Sequence, residues 1–177
     1  NNTTHTNMLS LQKSFTFTFK SSQLKSALII ANNFCAQANQ EVNLNYLKNE
    51  QEGIAVIELN RENGKNSFNR AMASQLHHCV DVLGTDKNVR AVIIRSLVKG
   101  IFCAGADLKE RKTLTPIEVH RFVNSLRSLV VKMENLPMPT IAAIDGAAMG
   151  GGLEMGLSCD MRVAADSVKM GDRKSVV

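Results

Sequence analysis

The chain has no tryptophan, one tyrosine and three prolines in 177 residues. Its four cysteines, Cys35, Cys79, Cys103 and Cys159, form no CxxC pair. Disulfide frameworks and zinc sites are therefore left without their usual spacing, and buried reduced thiols are the expected state. No apolar run approaches the ~20 residues a membrane-spanning helix needs. No GxGxxG sequence occurs, which leaves a dinucleotide-binding fingerprint without its glycines. No internal repeat or linker is visible, and no metal site is expected.

Acidic residues are missing from residues 1–40, whose formal charges are Lys13, Lys20 and Lys25. The net charge of +5 is concentrated there, because residues 41–171 carry only +1. A near-neutral body does not present the basic face of a nucleic-acid binder. The acid-free leader begins Met8-Leu9-Ser10-Leu11-Gln12-Lys13-Ser14 and is rich in Ser, Thr, Phe and Lys. That bias fits an organelle transit segment, although arginine is absent; a disordered arm has the same composition. Three regions follow: a leader over 1–40, a domain over 41–171, and a tail over 172–177. The length suffices for one domain with a sizeable core.

The body reads as alternating strands and helices. Residues 42–47 alternate apolar and polar, and 53–59 read as their strand partner across a polar turn. Met72, Leu76, Cys79, Val80 and Leu83 recur at helical spacing over 69–83, with Gly84 as the stop. Residues 90–96 form a strand. Thr115-Pro116-Ile117-Glu118 has the cap, proline and glutamate of a helix start. Its apolar stripe is Phe122, Leu126, Leu129, Met133 and Leu136, and Pro137 and Pro139 end it. A strand over 140–145, a helix over 151–159 and a strand over 161–165 complete the series. This order predicts an α/β domain.

Two glycine-rich turns carry the chemistry. One is Phe102-Cys103-Ala104-Gly105-Ala106-Asp107, and the other is Gly150-Gly151-Gly152-Leu153-Glu154. Gly105 permits a tight turn that can aim the Ala106 amide at a ligand. The glycine triplet removes side chains where backbone must come close, and it leaves amides free at a helix start. One N–H from each turn could meet on a single oxygen, as in an oxyanion hole. Taken singly, each turn reads as ordinary loop chemistry, with Asp107 as a helix cap. Glu154 lies in the apolar stretch Leu153-Glu154-Met155-Gly156-Leu157. A carboxylate there is expected to be partly desolvated, which suits general acid–base work; a buried structural ion pair is the alternative.

Together these stretches resemble the crotonase, or enoyl-CoA hydratase/isomerase, superfamily. The match runs over 43–171 and includes Gly100 to Glu110, Pro139 to Gly146, and Met149 through Glu154 to Ala164. Asn60-Arg61, Gly64-Lys65-Asn66-Ser67 and Asp107-Leu108-Lys109-Glu110-Arg111 place it near a mitochondrial hydratase branch. The resemblance implies a spiral of ββα units, incomplete at the C-terminus here, and assembly as trimers or hexamers. It implies an acyl-CoA thioester as substrate, hydration of an α,β-unsaturated acyl group, and no cofactor beyond the coenzyme A of the substrate. A matrix location would agree with the leader. By position, Ala106 and Gly151 would supply the oxyanion N–H groups, and Glu154 one of two glutamates that hold water. Ala104, Gly105, Asp107, Leu108, Lys109 and Gly150 would contact the substrate or its coenzyme.

The resemblance breaks after Lys169-Met170-Gly171. The family places a second glutamate three residues on, where this chain has Lys174. The chain is accordingly expected to be truncated or altered at this end and nearly inactive. The same branch is associated with AU-rich RNA through a lysine comb on its first helix. The matching positions are Arg70, Ser74 and His78, which leave one firm cation. Isomerase, thioesterase and decarboxylase members of the superfamily share the turns and remain open alternatives.

Overall fold

A computed structural model describes residues 40–171 of the chain. The leader expected over 1–40 lies outside the described residues apart from Gln40. The tail over 172–177, including Lys174, also lies outside them. The described residues 40–171 belong to one compact unit.

Eight strands and four helices follow one another along the described chain. The strands are β1 (Val42–Tyr46), β2 (Ile54–Leu59), β3 (Ala91–Ser96), β4 (Ile101–Cys103), β5 (Thr140–Ile144), β6 (Ala147–Met149), β7 (Met161–Ala164) and β8 (Met170–Gly171). The helices are α1 (Arg70–Thr85), α2 (Leu108–Arg111), α3 (Pro116–Glu134) and α4 (Gly151–Leu157). A large sheet has the order β1-β2-β3-β5-β7, and a small one has the order β4-β6-β8. β1 runs antiparallel to β2, with Val42 opposite Leu59 and Tyr46 opposite Ala55. Every other pairing between named strands is parallel. The first unit gives both β1 and β2 to the large sheet; after it, β3, β5 and β7 join the large sheet while β4, β6 and β8 form the small one, with helices following β2, β4 and β6. The expected spiral of ββα units is what the described residues build.

Pattern explains the large sheet well. In β2, Ala55, Ile57 and Leu59 are fully buried, and Val56 and Glu58 are buried on the other face. A strand covered on both sides tolerates a continuous apolar run, and Val56 and Ile57 lie in one. Helix α1 packs Met72, Leu76, Cys79, Val80 and Leu83 inward. Its start is capped by the Asn69 side chain, which accepts from the Met72 amide at 2.7 Å. In α3 the Thr115 and Glu118 side chains form the full capping box. Phe122, Leu129 and Met133 of α3 are buried, and Leu126 packs against the core.

Two expectations need correction. Helix α1 runs past Gly84 to Thr85 rather than stopping there. Gly84 keeps ordinary helical backbone, and the turn comes only at Asp86, whose backbone is extended. A helical glycine loses stability relative to alanine but does not by itself end a helix. The expected series also lacked β4, β6, β8 and α2. Each has two to four residues, too few for a period of 2 or 3.6 to show. Those short elements carry both glycine turns.

Among the described residues, no helix is long and apolar enough to cross a membrane. Cys79, Cys103 and Cys159 are buried free thiols. Burial pushes Cys103 up to about 12 and Cys79 and Cys159 up to about 11. They are protonated core residues rather than nucleophiles.

Candidate active site

The two turns leave parallel neighbours, since β4 and β6 pair side by side. They then pack directly on each other. A Cβ on Gly105 would lie 2.7 Å from the Met149 carbonyl oxygen and 3.5 Å from the Gly151 nitrogen. A Cβ on Gly152 would lie 2.5 Å from the Cys103 carbonyl oxygen and 2.8 Å from its sulfur. Gly105 also has φ +85°, a conformation closed to most side chains. Glycine at both places is therefore what lets the turns touch.

Several backbone groups at this junction are spoken for. The Phe68 amide donates to the Gly105 carbonyl at 2.7 Å, and the Asp107 amide donates to the Phe68 carbonyl at 2.9 Å. This is a parallel bridge between Phe68 and Ala106. In a parallel bridge the residue between the two bonds turns its own amide to the opposite side. On the other turn, Gly150 donates to Gly171 at 3.0 Å, and its carbonyl accepts from Leu153 and Glu154. Among the described residues, neither the Ala106 nor the Gly151 amide has a hydrogen-bond acceptor.

The remaining predicted residues fall into two groups. Ala104 is exposed, and its amide donates to the Lys65 carbonyl at 3.1 Å. Leu108 and Lys109 are exposed beside it on α2. Asp107 is different, because its side chain turns inward. One carboxylate oxygen accepts from Arg61 at 2.7 Å, and the other accepts from the Lys109 and Glu110 amides. Its carboxylate is thus committed to capping α2 and to Arg61, its amide to the Phe68 carbonyl, and its carbonyl to the Arg111 amide.

Glu154 sits one turn into α4 and is exposed, contrary to the expected desolvation. The reason is the orientation of the helix. Gly152, Met155 and Gly156 form its buried face. Glu154 and Leu157 point away from that face, and among the described residues the Glu154 side chain makes no hydrogen bond or ion pair. The alternative of a buried ion pair therefore does not hold within those residues.

Sequence reasoning passed over three residues that organise the site: Arg61, Asn66 and Phe68. Arg61 and Asn66 registered only as part of a branch signature. The local cue was the Gly64-Lys65-Asn66 run, where Lys65 and Asn66 both have φ 52°. Consecutive left-handed residues indicate a chain shaped by its surroundings. Away from the turns, Arg70 and Ser74 line a groove between α1 and α3 with His77, Arg121 and Phe122. The Arg70 guanidinium is paired with Glu110 at 2.9 Å, and His78 is exposed.

Two aspartates make the fold sensitive to acid. Burial would push the Asp107 carboxyl up, but the Arg61 hydrogen bond, the two α2 amides and the Arg61 charge together hold it below its ordinary value. Asp160 is held low by the amide and hydroxyl of Thr140, at 2.7 and 2.8 Å. A carboxyl lowered by folding stabilises above its unfolded value, near 4, and that contribution disappears as pH falls through the folded value. The melting temperature is expected to be level from about pH 7 to 5 and to fall steadily below about pH 4. Asp160→Asn should flatten part of that fall; an unchanged acid limb in a melting series would count against these contacts.

The sequence pattern of the enoyl-CoA hydratase/isomerase family matches residues 49–175. The chain belongs to this family. It is 52% identical over 135 residues to the human mitochondrial methylglutaconyl-CoA hydratase, covering 76% of this chain and 40% of that protein. The mitochondrial enoyl-CoA hydratase domain-containing protein 2 of Bos taurus is 48% identical over 134 residues, covering 76% of this chain and 45% of the relative. The crystal structure of an enoyl-CoA hydratase from Bacillus anthracis superposes with a TM-score of 0.71 at 38% identity, covering 75% of this chain and 50% of that one. The chain thus spans less than half the length of these curated relatives. In this hydratase/isomerase chain, the paired glycine turns lie inside the matched region.

Proposed function

We propose that this chain carries the thioester-polarising half of an enoyl-CoA hydratase site. The observation that supports the reading is the mutual packing of two turns whose Ala106 and Gly151 amides have no acceptor among the described residues. The substrate would be an α,β-unsaturated acyl-CoA. The similarity to methylglutaconyl-CoA hydratase favours 3-methylglutaconyl-CoA, an intermediate of leucine breakdown, with straight-chain enoyl-CoA as the companion candidate. Coenzyme A enters as part of the substrate, so the reaction calls for no separate cofactor. Relatives named mitochondrial favour that compartment, with the matrix as the proposed site. Assembly as a trimer or hexamer is the corresponding expectation for the whole protein.

In this reading, water adds across the double bond. Its oxygen bonds to the β-carbon, a proton goes to the α-carbon, and both add from one face. As the β-carbon is attacked, electron density moves onto the thioester oxygen. The Ala106 and Gly151 amides would hold that charge without having to reorganise. Glu154, exposed beside the second turn and without a partner among the described residues, would orient the water and accept its proton. Ala104, Gly105, Leu108, Lys109 and Gly150, with the backbone at Asp107, would border the coenzyme.

The position of the second glutamate is held by Lys174, whose ammonium can neither accept the water proton nor act beside Glu154 as a base. General acid–base catalysis contributes about 10²- to 10⁴-fold, so hydration is expected to be lower than in a full-length relative by roughly that factor. Turnover of crotonyl-CoA and 3-methylglutaconyl-CoA by the purified chain checks this. A rate at the full-length level that Glu154→Ala abolishes would overturn the claim of near-inactivity.

A further inference from the structure

We propose that Arg61 is a positioning residue for the Ala106 amide, acting through Asp107, and that the segment 61–68 sets the separation of the two turns. The inference rests on the thioester reading above.

Arg61 lies in the loop after β2, and only 19% of its side chain is exposed. Three of its nitrogens are engaged by three separate parts of the chain. Nε donates to Glu41 at 2.8 Å, and Nη2 donates to Asp107 at 2.7 Å. Nη1 donates to the Ser67 carbonyl at 3.0 Å and to the Ser67 hydroxyl at 2.8 Å. Gly64 leaves room for this fork, since a Cβ there would stand 1.9 Å from Nη1. A planar guanidinium can hold carboxylates and a carbonyl in fixed directions at once, and a lysine ammonium cannot reach them together.

The Asp107 carboxylate is held from both ends. Arg61 takes one oxygen, and the α2 amides take the other. It cannot rotate without breaking one set. Its own amide is bonded to Phe68, and Phe68 is bonded to Gly105. Ala106 therefore sits in a short span pinned on each side, with its amide directed away from Phe68.

The same segment reaches the second turn. The Phe68 ring passes 3.3 and 3.4 Å from where a Gly151 Cβ would stand. Asn66 anchors the segment from behind and is fully buried. Its Oδ1 accepts from the Arg61 amide at 2.7 Å, and its Nδ2 donates to Ser96 at 2.8 Å and to the Phe102 carbonyl at 3.1 Å. One segment thus touches the backbone of the first turn and packs on the second. Oxyanion donors act only within a narrow distance window, so small displacements of this strut matter to the chemistry.

Crotonyl-CoA labelled with ¹³C at the thioester carbonyl reads the geometry without requiring turnover. With the full chain at saturation, the carbonyl infrared band is expected to move to lower wavenumber as the amides polarise it. Arg61→Lys should lose more than half of that displacement while keeping the circular dichroism and saturation of the parent. Arg61→Ala should lose nearly all of it. Asp107→Asn, similar in shape but uncharged, should lose a smaller part. Arg95→Ala removes the Arg95–Glu58 ion pair, which involves neither turn, and should keep the full displacement.

Full displacement in a folded, saturated Arg61→Lys chain would overturn the inference. So would loss of binding in that chain with its fold intact, because Arg61 would then touch the ligand. Equal loss in Arg95→Ala would reduce the effect to general stability. Absence of any displacement in the unmodified chain would instead defeat the thioester reading itself.

Discussion

Replacing Gly146 with alanine is expected to produce the largest loss of stability of any single methyl group added to this chain. Gly146 joins β5 to β6 and crosses directly over the start of β4. Its added Cβ would fall 2.1 Å from the Gly100 carbonyl carbon, 2.2 Å from the Ile101 nitrogen and 2.5 Å from the Gly100 oxygen. All three are backbone atoms, so no side-chain rotation can relieve the overlap. The Ala147 amide also donates to the Gly100 carbonyl at 3.0 Å, and that bond would have to stretch or break. Overpacking usually costs 1–3 kcal/mol, and a backbone-on-backbone case should reach about 3 kcal/mol or more. In a domain of this size that corresponds to a drop of roughly 10 °C in melting temperature. Gly84→Ala is the opposite control. It lies in helix α1, its nearest neighbour would be Leu136 at 3.9 Å, and it should stabilise by about 0.5–1 kcal/mol. Thermal melts followed by circular dichroism decide the matter; similar midpoints for the two variants would mean that the β4–β6 junction is looser than described.

Gly105→Ala is expected to have the largest effect on thioester recognition. Two costs combine there. The residue has φ +85°, and its Cβ would press on the Met149 carbonyl oxygen at 2.7 Å. The contact would pry the first turn from the second, separating Ala106 from Gly151. Gly100→Ala isolates the first cost, because Gly100 has φ +72° but nothing within 4 Å of its Cβ. The backbone penalty should be about 1–3 kcal/mol in either variant. Only Gly105→Ala should also disturb the donors, and removing one oxyanion donor typically costs 10²- to 10³-fold in rate. The residual hydration of crotonyl-CoA should therefore fall by about 10²-fold in Gly105→Ala and by less than about threefold in Gly100→Ala. Matched losses in the two would assign the whole effect to backbone strain.

Much of this molecule was legible in its residues. The strands of the large sheet and helices α1 and α3 are long enough to display their periods. The capping box at Thr115 and Glu118 marked the start of α3. The two glycine turns pointed to backbone approach, and the structure brings them into contact through Gly105 and Gly152. Glu154 was a harder case. An apolar neighbourhood in sequence suggested burial, but on a seven-residue helix Gly152, Met155 and Gly156 face inward while Glu154 and Leu157 face out. Asp107 also divided its readings. The cap reading describes its carboxylate, whose remaining oxygen is taken by Arg61.

Local sequence was enough to determine the family, the α/β alternation and the positions that must lack a Cβ. Those properties depend on residue type and short spacing, which are read along the chain. The small sheet, the strut from Arg61 to Asp107 and the contact of Phe68 with Gly151 were settled by folding alone. They join residues tens of positions apart, 46 in the case of Arg61 and Asp107. Their strands are too short to carry a period, and their hydrogen bonds exist only once the parallel crossovers have brought the partners together. Whether two glycine turns are loops or a pair of aligned donors is therefore a property of the assembled spiral.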